Sequence, residues 1–178
     1  MTENLVSPQT REAPGRVVHR PAGTAPAIWA MGSLFERLVT RAETRGLDVA
    51  LVTQPPGVAT PLHRHTREAE AFLLLDGTMT YRAGDETFHL GEGDFIYLPL
   101  GVPHAFRVTG RTPVRFVGFA DPGGIFDLYE EVGMPAAERR LPGKDGQPFD
   151  VEIPRWNEVG PRYGLEVVGP PLAEEAHS

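Results

Sequence analysis

The stretch GVATPLHRHTREAEAFLLLDG, residues 57–77, carries the strongest structural signal in the sequence. His63 and His65 are one residue apart, and on a β-strand residues i and i+2 point to the same face, so both would project into one interior. Glu70 then opens an apolar run, where an unpaired carboxylate would be costly. A histidine pair alone is more often an ordinary polar strand face, so a metal site needs further ligands.

A third histidine, His104, follows the turn sequence PLGVP at residues 99–103 and opens another predicted strand. Three imidazoles and one carboxylate on strands of one β domain form a nitrogen and oxygen ligand set suited to a divalent transition metal. Taken singly, Glu70 could be a charge that reaches solvent, and His104 a loop histidine bonded to a carbonyl group. The prediction of a metal site therefore rests on the complete set.

Other polar residues are interpreted as structural. Glu68 is the rival carboxylate, but it lies in the polar TREA turn at residues 66–69 and is expected to be solvated. His89 is expected to face solvent on an edge strand. His19 and His177 lie near the chain ends and have no partner at chelating spacing.

Composition excludes several classes of protein. The formal charge of −7 argues against nucleic-acid binding, which usually relies on a basic surface stripe. The sequence has no cysteine, which excludes disulfides, zinc–thiolate clusters and thiol nucleophiles. No apolar run has the length of a signal peptide or of a transmembrane helix, about 18 residues. We expect one active centre in a cytoplasmic protein with no nucleic-acid or membrane partner.

Short runs rich in β-branched and aromatic residues recur between residues 26 and 120, separated by Gly, Pro or Asp. This spacing is typical of an all-β sandwich or barrel. Ten strands are predicted: Ala27–Met31, Glu36–Ala42, Asp48–Gln54, Pro61–His65, Glu70–Leu75, Thr78–Arg82, Glu86–Leu90, Asp94–Leu98, His104–Val108 and Val114–Ala120.

The pattern becomes helical after the sequence DPGG at residues 121–124. Apolar residues at helical spacing predict one helix up to Gly133 and a second short helix over Pro154–Tyr163. The predicted organisation is an N-terminal arm at 1–25, a β-barrel domain at 26–121, a helical extension packed on the barrel at 122–171 and a disordered tail at 172–178.

The two histidine-containing stretches resemble the two sequence motifs of the cupin superfamily. The first motif, a glycine, two histidines flanking one residue, a glutamate and a closing glycine, is matched by Gly57, His63, His65, Glu70 and Gly77. The second is matched by GDFIYLPLGVPH, residues 93–104. One departure is Val108, which stands where the second motif often ends in asparagine, at a position that is not a ligand in the family.

The resemblance implies a double-stranded β-helix, a jelly-roll barrel with a metal bound inside by His63, His65, Glu70 and His104. The metal would be iron, manganese, nickel, cobalt, zinc or copper. Looser matches at residues 121–135 and 162–171 resemble the C-terminal helical part of single-domain cupins similar to bacterial quercetin 2,3-dioxygenase.

The leading functional hypothesis is a metal-dependent dioxygenase that opens an aromatic enol such as a flavonol, with dioxygen as co-substrate. Glu70, as the site carboxylate, is the candidate general base as well as a ligand. Four apolar or aromatic side chains on the predicted strands are expected to form the substrate pocket: Phe72, Leu74, Tyr97 and Phe106.

Two alternatives remain open at the level of the sequence. One is a metal-dependent isomerase, cyclase or decarboxylase acting on another small molecule, because one fold supports many reactions. The other is a non-enzymatic small-molecule-binding cupin with a structural metal. We also predict a homodimer, in which the arm and the strand Ala27–Met31 add to a partner's sheet.

Overall fold

A computed structural model of the chain describes residues 16–143 and 149–174. These residues form twelve strands: β1 (Ala27–Ala30), β2 (Ser33–Val39), β3 (Asp48–Gln54), β4 (Pro61–His65), β5 (Ala69–Asp76), β6 (Met79–Ala83), β7 (Glu86–Leu90), β8 (Phe95–Leu98), β9 (His104–Val108), β10 (Val114–Asp121), β11 (Met134–Pro135) and β12 (Leu165–Pro171). The helices are α1 (Arg41–Thr44), α2 (Ile125–Val132), α3 (Phe149–Val159) and a 3₁₀ helix, Gly160–Tyr163.

The strands form two antiparallel sheets that pack face to face. One has the order β11-β1-β2-β3-β10-β5-β8 and the other β12-β4-β9-β6-β7. Side chains from both inner faces meet in the core, as where the rings of Phe72 on β5 and Tyr81 on β6 lie 5.6 Å apart. The prediction of an all-β jelly-roll barrel is confirmed. Within the described ranges, no helix has the length and apolar character needed to cross a membrane.

The ten predicted strands overlap β1 to β10. The largest difference is at β2, which begins earlier than predicted and ends at Val39, because the chain turns into α1. Thr40 and Glu43 cause this turn: the Thr40 N–H donates to Glu43 Oε2 at 3.1 Å, in a capping box that starts the helix. Residues 40–42 therefore begin helix α1 and do not continue the strand as predicted.

The predicted helical extension is wrong at its end, because residues Leu165–Pro171 form strand β12. This strand pairs with β4, where Leu165 lies opposite His65 and Val167 opposite His63. Strand β4 would otherwise be the exposed edge of its sheet, and the pairing satisfies its backbone groups. The chain thus returns to the barrel after α3.

The predicted arm and tail are only partly covered by the structure. Residues 1–15 and 175–178 lie outside the described residues. The described end of the arm is held at Arg20, whose side chain donates to Leu38 O at 3.1 Å and Glu43 Oε1 at 2.6 Å. The outer edge of β1 carries β11, with Ile28 opposite Pro135, so it is not free over its whole length. The homodimer and the domain boundaries stay predictions.

Helix α2 is fixed to the barrel by a buried arginine. Arg37 on β2 is 1% exposed, and its guanidinium donates to Glu130 Oε1 at 2.6 Å and Asp127 Oδ1 at 3.2 Å, both on α2. It also donates to the buried carboxylate of Asp48 on β3 at 3.4 Å. Asp48 in turn accepts a 2.8 Å hydrogen bond from the Gly124 N–H at the start of α2. The helix is therefore held against one end of the barrel interior.

Candidate metal centre

The four predicted ligands lie together inside the barrel. His63 and His65 project from β4, and His104 opens β9 directly opposite His63. Glu70 comes from β5 in the opposing sheet. All four side chains are buried, and one potential ligand atom from each lies within 4.8 Å of those of the others. The two facing sheets thus bring the histidines of β4 and β9 close to the carboxylate of Glu70 on β5.

Each histidine is oriented by a hydrogen bond at Nδ1. His63 Nδ1 lies 2.7 Å from the carbonyl oxygen of Pro61, and His104 Nδ1 lies 2.9 Å from that of Val102. A carbonyl oxygen can only accept, so both rings carry their proton on Nδ1 and leave the Nε2 lone pair for a metal. His65 Nδ1 is bound in the same way, 2.6 Å from a carboxylate oxygen of Glu68.

The Nε2 atoms of two histidines lack hydrogen bonds despite their burial. Nε2 of His65 lies 3.1 Å and Nε2 of His104 lies 3.3 Å from the same oxygen of Glu70, Oε2. Neither nitrogen makes a hydrogen bond with a described residue. Buried polar atoms without partners are rare in native proteins and call for an explanation such as an ion. Three nitrogen donors and one oxygen donor fit a divalent transition metal, so the residues suit such an ion.

The electrostatics keep Glu70 ionised. Burial opposes its ionisation, but His65 and His104 hold the pKa of the Glu70 carboxyl well below its usual range. Burial, together with His104 and His65, lowers the pKa of His63 to about 3. Burial also opposes protonation of His65, but Glu70 and Glu68 outweigh it and raise the pKa of His65 to about 10. Metal binding at such a cluster is coupled to proton release, because the ligating nitrogens must be deprotonated.

The prediction that Glu68 is solvated is wrong. Its side chain is 2% exposed, and its Oε1 atom accepts the hydrogen bond from His65 Nδ1. The turn between β4 and β5 folds Glu68 back beside His65, three residues earlier in the chain. A carboxylate behind a ligating imidazole fixes the ring and raises its basicity. The prediction from sequence included carboxylates only as direct ligands. A His-x-x-Glu spacing across a turn also permits a glutamate to support the ring of a ligating histidine.

The site borders a small cavity of about 30 Å³. Two predicted pocket residues, Phe72 and Phe106, line it together with His63, Glu70 and His104. The rest of the lining was not predicted from the sequence and consists of Met31, Phe35, Val52, Gln54, Thr60, Tyr81, Phe116, Phe126 and Tyr129. Phe126 and Tyr129 lie on the apolar face of α2, which was predicted as a helix but not as a wall of the site.

Two predicted pocket residues have other positions. Tyr97 is 59% exposed, because side chains alternate along β8 and this strand directs Ile96 and Leu98 inward. Assigning Tyr97 to the interior is therefore wrong. Leu74 is buried in the core at 1% exposure but is not among the side chains that line the cavity.

The helices after β10 cover the site. Gly118 on β10 gives Phe126 room to approach, since a Cβ atom there would lie 3.3 Å from the Phe126 ring and 3.4 Å from that of Phe72. On α3, the fully buried Trp156 packs edge to face against His63, with ring centroids 5.4 Å apart. Aromatic rings from both helices thus shield the metal centre from water.

Residues 50–119 match the protein-family model for the cupin domain. The chain contains a cupin domain over these residues. It is 31% identical over 108 residues to quercetin 2,3-dioxygenase of Bacillus subtilis, a match covering 57% of this cupin and 32% of that protein. It is also 31% identical over 102 residues to the xanthan biosynthesis protein XanB of Xanthomonas campestris, covering 57% of the chain and 19% of XanB. The cupin thus spans about a third or less of these relatives.

Among solved structures, this cupin is similar to a predicted oxalate decarboxylase from Thermotoga maritima, with a TM-score of 0.53 and 21% identity. The match covers 60% of this chain and 99% of that one. At this identity the likeness shows the shared fold alone. The membership of the cupin superfamily predicted from the two motifs is confirmed.

Removing a histidine ligand should abolish metal loading. We expect His63→Ala or His104→Ala to retain almost no divalent metal after reconstitution and desalting, because each loses one of three nitrogen donors. The control is His89→Ala on edge strand β7, where the exposed imidazole has a polar contact with Thr80 Oγ1 at 3.1 Å. Metal per chain is measured by plasma mass spectrometry. Equal metal loss in His89→Ala would show that the site is misplaced.

Replacing Glu68 should weaken the metal site without removing a ligand. In Glu68→Gln the amide still accepts from His65 Nδ1 but no longer carries the charge that raises the basicity of the ring. We expect metal affinity to fall about 10- to 100-fold, measured by competition with a chelator. Glu86→Gln, an exposed position at the start of β7, is the matched control. Unchanged affinity in Glu68→Gln would contradict the orienting role.

Proposed function

We propose that this cupin is a metal-dependent dioxygenase that opens an aromatic enol such as a flavonol. The observation that carries the proposal is the convergence of three Nε2 donors and Glu70 at one end of a cavity walled by aromatic rings. The similarity to the Bacillus quercetin 2,3-dioxygenase supports the same reaction class. Residues of the shared cupin domain would then perform the chemistry in both proteins.

A bound metal ion would act as a Lewis acid and lower the pKa of the substrate hydroxyl. Glu70 is ionised and lies beside His65 and His104, so it can take the proton from that hydroxyl. Its depressed pKa makes it a weak base, so this transfer proceeds only when the pKa of the substrate hydroxyl is lowered as well. His63, His65 and His104 stay fixed by their Nδ1 hydrogen bonds during this step.

Dioxygen supplies the two oxygen atoms that the product gains in the overall reaction. The deprotonated enol takes up one O₂ molecule, two carbon–carbon bonds of the central ring break, and the carbon between them leaves with its oxygen as carbon monoxide. Both atoms of O₂ remain in the ester product. Shielding by Phe72, Phe106 and Phe126 excludes water from the reacting centre, which prevents competing hydrolysis.

The wall of the cavity favours an uncharged aromatic body over an anionic substrate. Among the described residues that line it there is no lysine or arginine that could bind a phosphate or carboxylate group. Seven phenyl or phenol rings contribute to the lining: Phe35, Phe72, Tyr81, Phe106, Phe116, Phe126 and Tyr129. Flat aromatic ligands match such walls.

The size of the cavity favours a second candidate, a metal-dependent isomerase, cyclase or decarboxylase acting on a smaller molecule. A volume of about 30 Å³ holds one or two water molecules and no flavonol. Binding of a flavonol would therefore require the lining side chains to move apart. A compact enol needs a smaller displacement, so substrate size separates the two candidates.

Oxygen uptake tests the proposed reaction. We expect the iron-, manganese- or nickel-loaded protein to consume O₂ and release carbon monoxide in equal amounts with quercetin or with the compact enol 3-hydroxy-4-pyrone. An oxygen electrode and gas chromatography measure the two gases. Conversion of an enol without O₂ consumption would support the second candidate. Binding without conversion would leave the cupin as a small-molecule-binding protein.

The Glu70→Gln variant separates the ligand role from the base role. The amide oxygen can still coordinate, so metal is restored and turnover is compared at equal metal occupancy. If Glu70 is the base, turnover of a protonated enol falls about 10²- to 10⁴-fold while binding persists. A substrate that is already ionised at the assay pH recovers part of the rate. Near-normal turnover of the protonated enol would leave Glu70 as a ligand only.

A further inference from the structure

Apart from the metal ligands, two buried polar atoms in the metal cavity have no hydrogen-bond partner among the described residues. They are the side-chain oxygen Oε1 of Gln54 and the hydroxyl oxygen of Tyr81. Gln54 is 5% exposed and Tyr81 is fully buried, and both line the cavity that contains His63, Glu70 and His104. Leaving such buried groups unpaired is energetically costly, so a ligand or a bound water is expected to pair with them.

Strand register places these atoms away from the metal ligands. Along β10, Glu70 lies opposite Ala120, whereas Gln54 lies opposite Val114, near the other end of the same strand. In the opposing sheet Ala83 pairs with His104. Gln54 therefore lies toward the far end of the barrel interior.

Tyr81 lies between these two ends. It pairs with Phe106, one inward-facing position beyond the pair formed by Ala83 and His104. Its ring is 5.6 Å from that of Phe72 and 5.4 Å from that of Phe106. A further ring, Phe116, lies 5.5 Å from Phe72. The cavity thus has metal ligands at one end, aromatic walls along its length, and two unpaired polar atoms beyond the ligands.

The two groups have defined hydrogen-bonding capacity. The amide oxygen of Gln54 is an acceptor, so it selects a ligand group that donates. Burial raises the pKa of the Tyr81 hydroxyl well above its usual value, so this group remains neutral and can both donate and accept. A hydroxyl group satisfies both requirements, whereas an ether or a methyl group cannot donate to Gln54.

We propose that Gln54 and Tyr81 form a polar subsite that binds a hydroxyl group on the part of the substrate remote from the metal. This inference rests on the proposed function, in which the enol oxygen of the substrate lies at the metal. The remote part is the end of the substrate farthest from that oxygen. It narrows the substrate class to aromatic enols that carry a second hydroxyl group. An analogue without this hydroxyl leaves both buried atoms unpaired, which is how a polar subsite rejects the wrong substrate.

The test compares two ligands that differ in their remote hydroxyl groups. Quercetin carries hydroxyls on both outer rings, whereas 3-hydroxyflavone has only the enol hydroxyl. Binding of both is measured by calorimetry on zinc-loaded protein, since zinc is redox-inert and the ligands are not consumed. We expect wild type to bind quercetin more tightly than 3-hydroxyflavone. Gln54→Leu and Tyr81→Phe should each reduce the ratio of quercetin affinity to 3-hydroxyflavone affinity on the order of tenfold.

The controls separate a subsite from a structural role. Tyr163→Phe removes a phenol hydroxyl that donates to Glu131 Oε2 at 2.6 Å outside the cavity, and should leave the ratio unchanged. Gln54→Met is a second variant of matched length should Gln54→Leu fold poorly. If Gln54 and Tyr81 only hold an internal water, their variants change thermal stability or both affinities together, with no change in the ratio, and the proposal is overturned.

The remaining outcomes separate this inference from the proposed reaction. Failure of both ligands to bind wild type, or an unchanged ratio in both variants, overturns the subsite. A reduced ratio in the variants together with no O₂ uptake by the iron-, manganese- or nickel-loaded protein supports the subsite and refutes the dioxygenase. A reduced ratio with O₂ uptake supports both.

Discussion

A carboxylate buried among three imidazoles is the constraint on which the rest of this structure depends. Glu70 is 7% exposed, and an ionised side chain at that depth is stable only with compensating charge. Contacts with His65 and His104 stabilise it in the protein alone, and a divalent cation would do so in a loaded site. Because these two histidines lie in the sheet that faces Glu70, the two halves of the barrel must meet at the level of Glu70. Formation of the site and closure of the barrel therefore depend on the same contacts.

The precision of the site comes from contacts behind the ligands. His63 and His104 each bond the backbone carbonyl two residues earlier, at Pro61 and Val102. These contacts are local and follow from the extended backbone that leads into each strand. His65 differs, because its support is the side chain of Glu68, which adds a second negative charge beside the cluster. The three rings are therefore not equivalent in basicity, and His65 is the one whose properties depend most on its support.

Sequence predicted the fold and the ligands because both are periodic or locally spaced signals. Strand alternation placed β1 to β10, and the His-x-His pair with Glu70 and His104 identified the cluster. Sequence failed where position depends on distant packing. The pairing of β8 with β5 determines which residues of β8 face inward. Ile96 lies opposite Phe72, so the next residue, Tyr97, faces outward. The cavity wall from α2 likewise depends on the long-range contacts of Arg37.

Strand β12 ties the metal centre to the order in which the chain is made. The histidines of β4 are synthesised early, but their strand acquires its outer neighbour only when Leu165 and Val167 are available to pair with His65 and His63. Pairings this distant in sequence form late and slowly, since a long loop must close before they contribute. Without residues 165–171, β4 and its two histidines would form an exposed edge of the sheet.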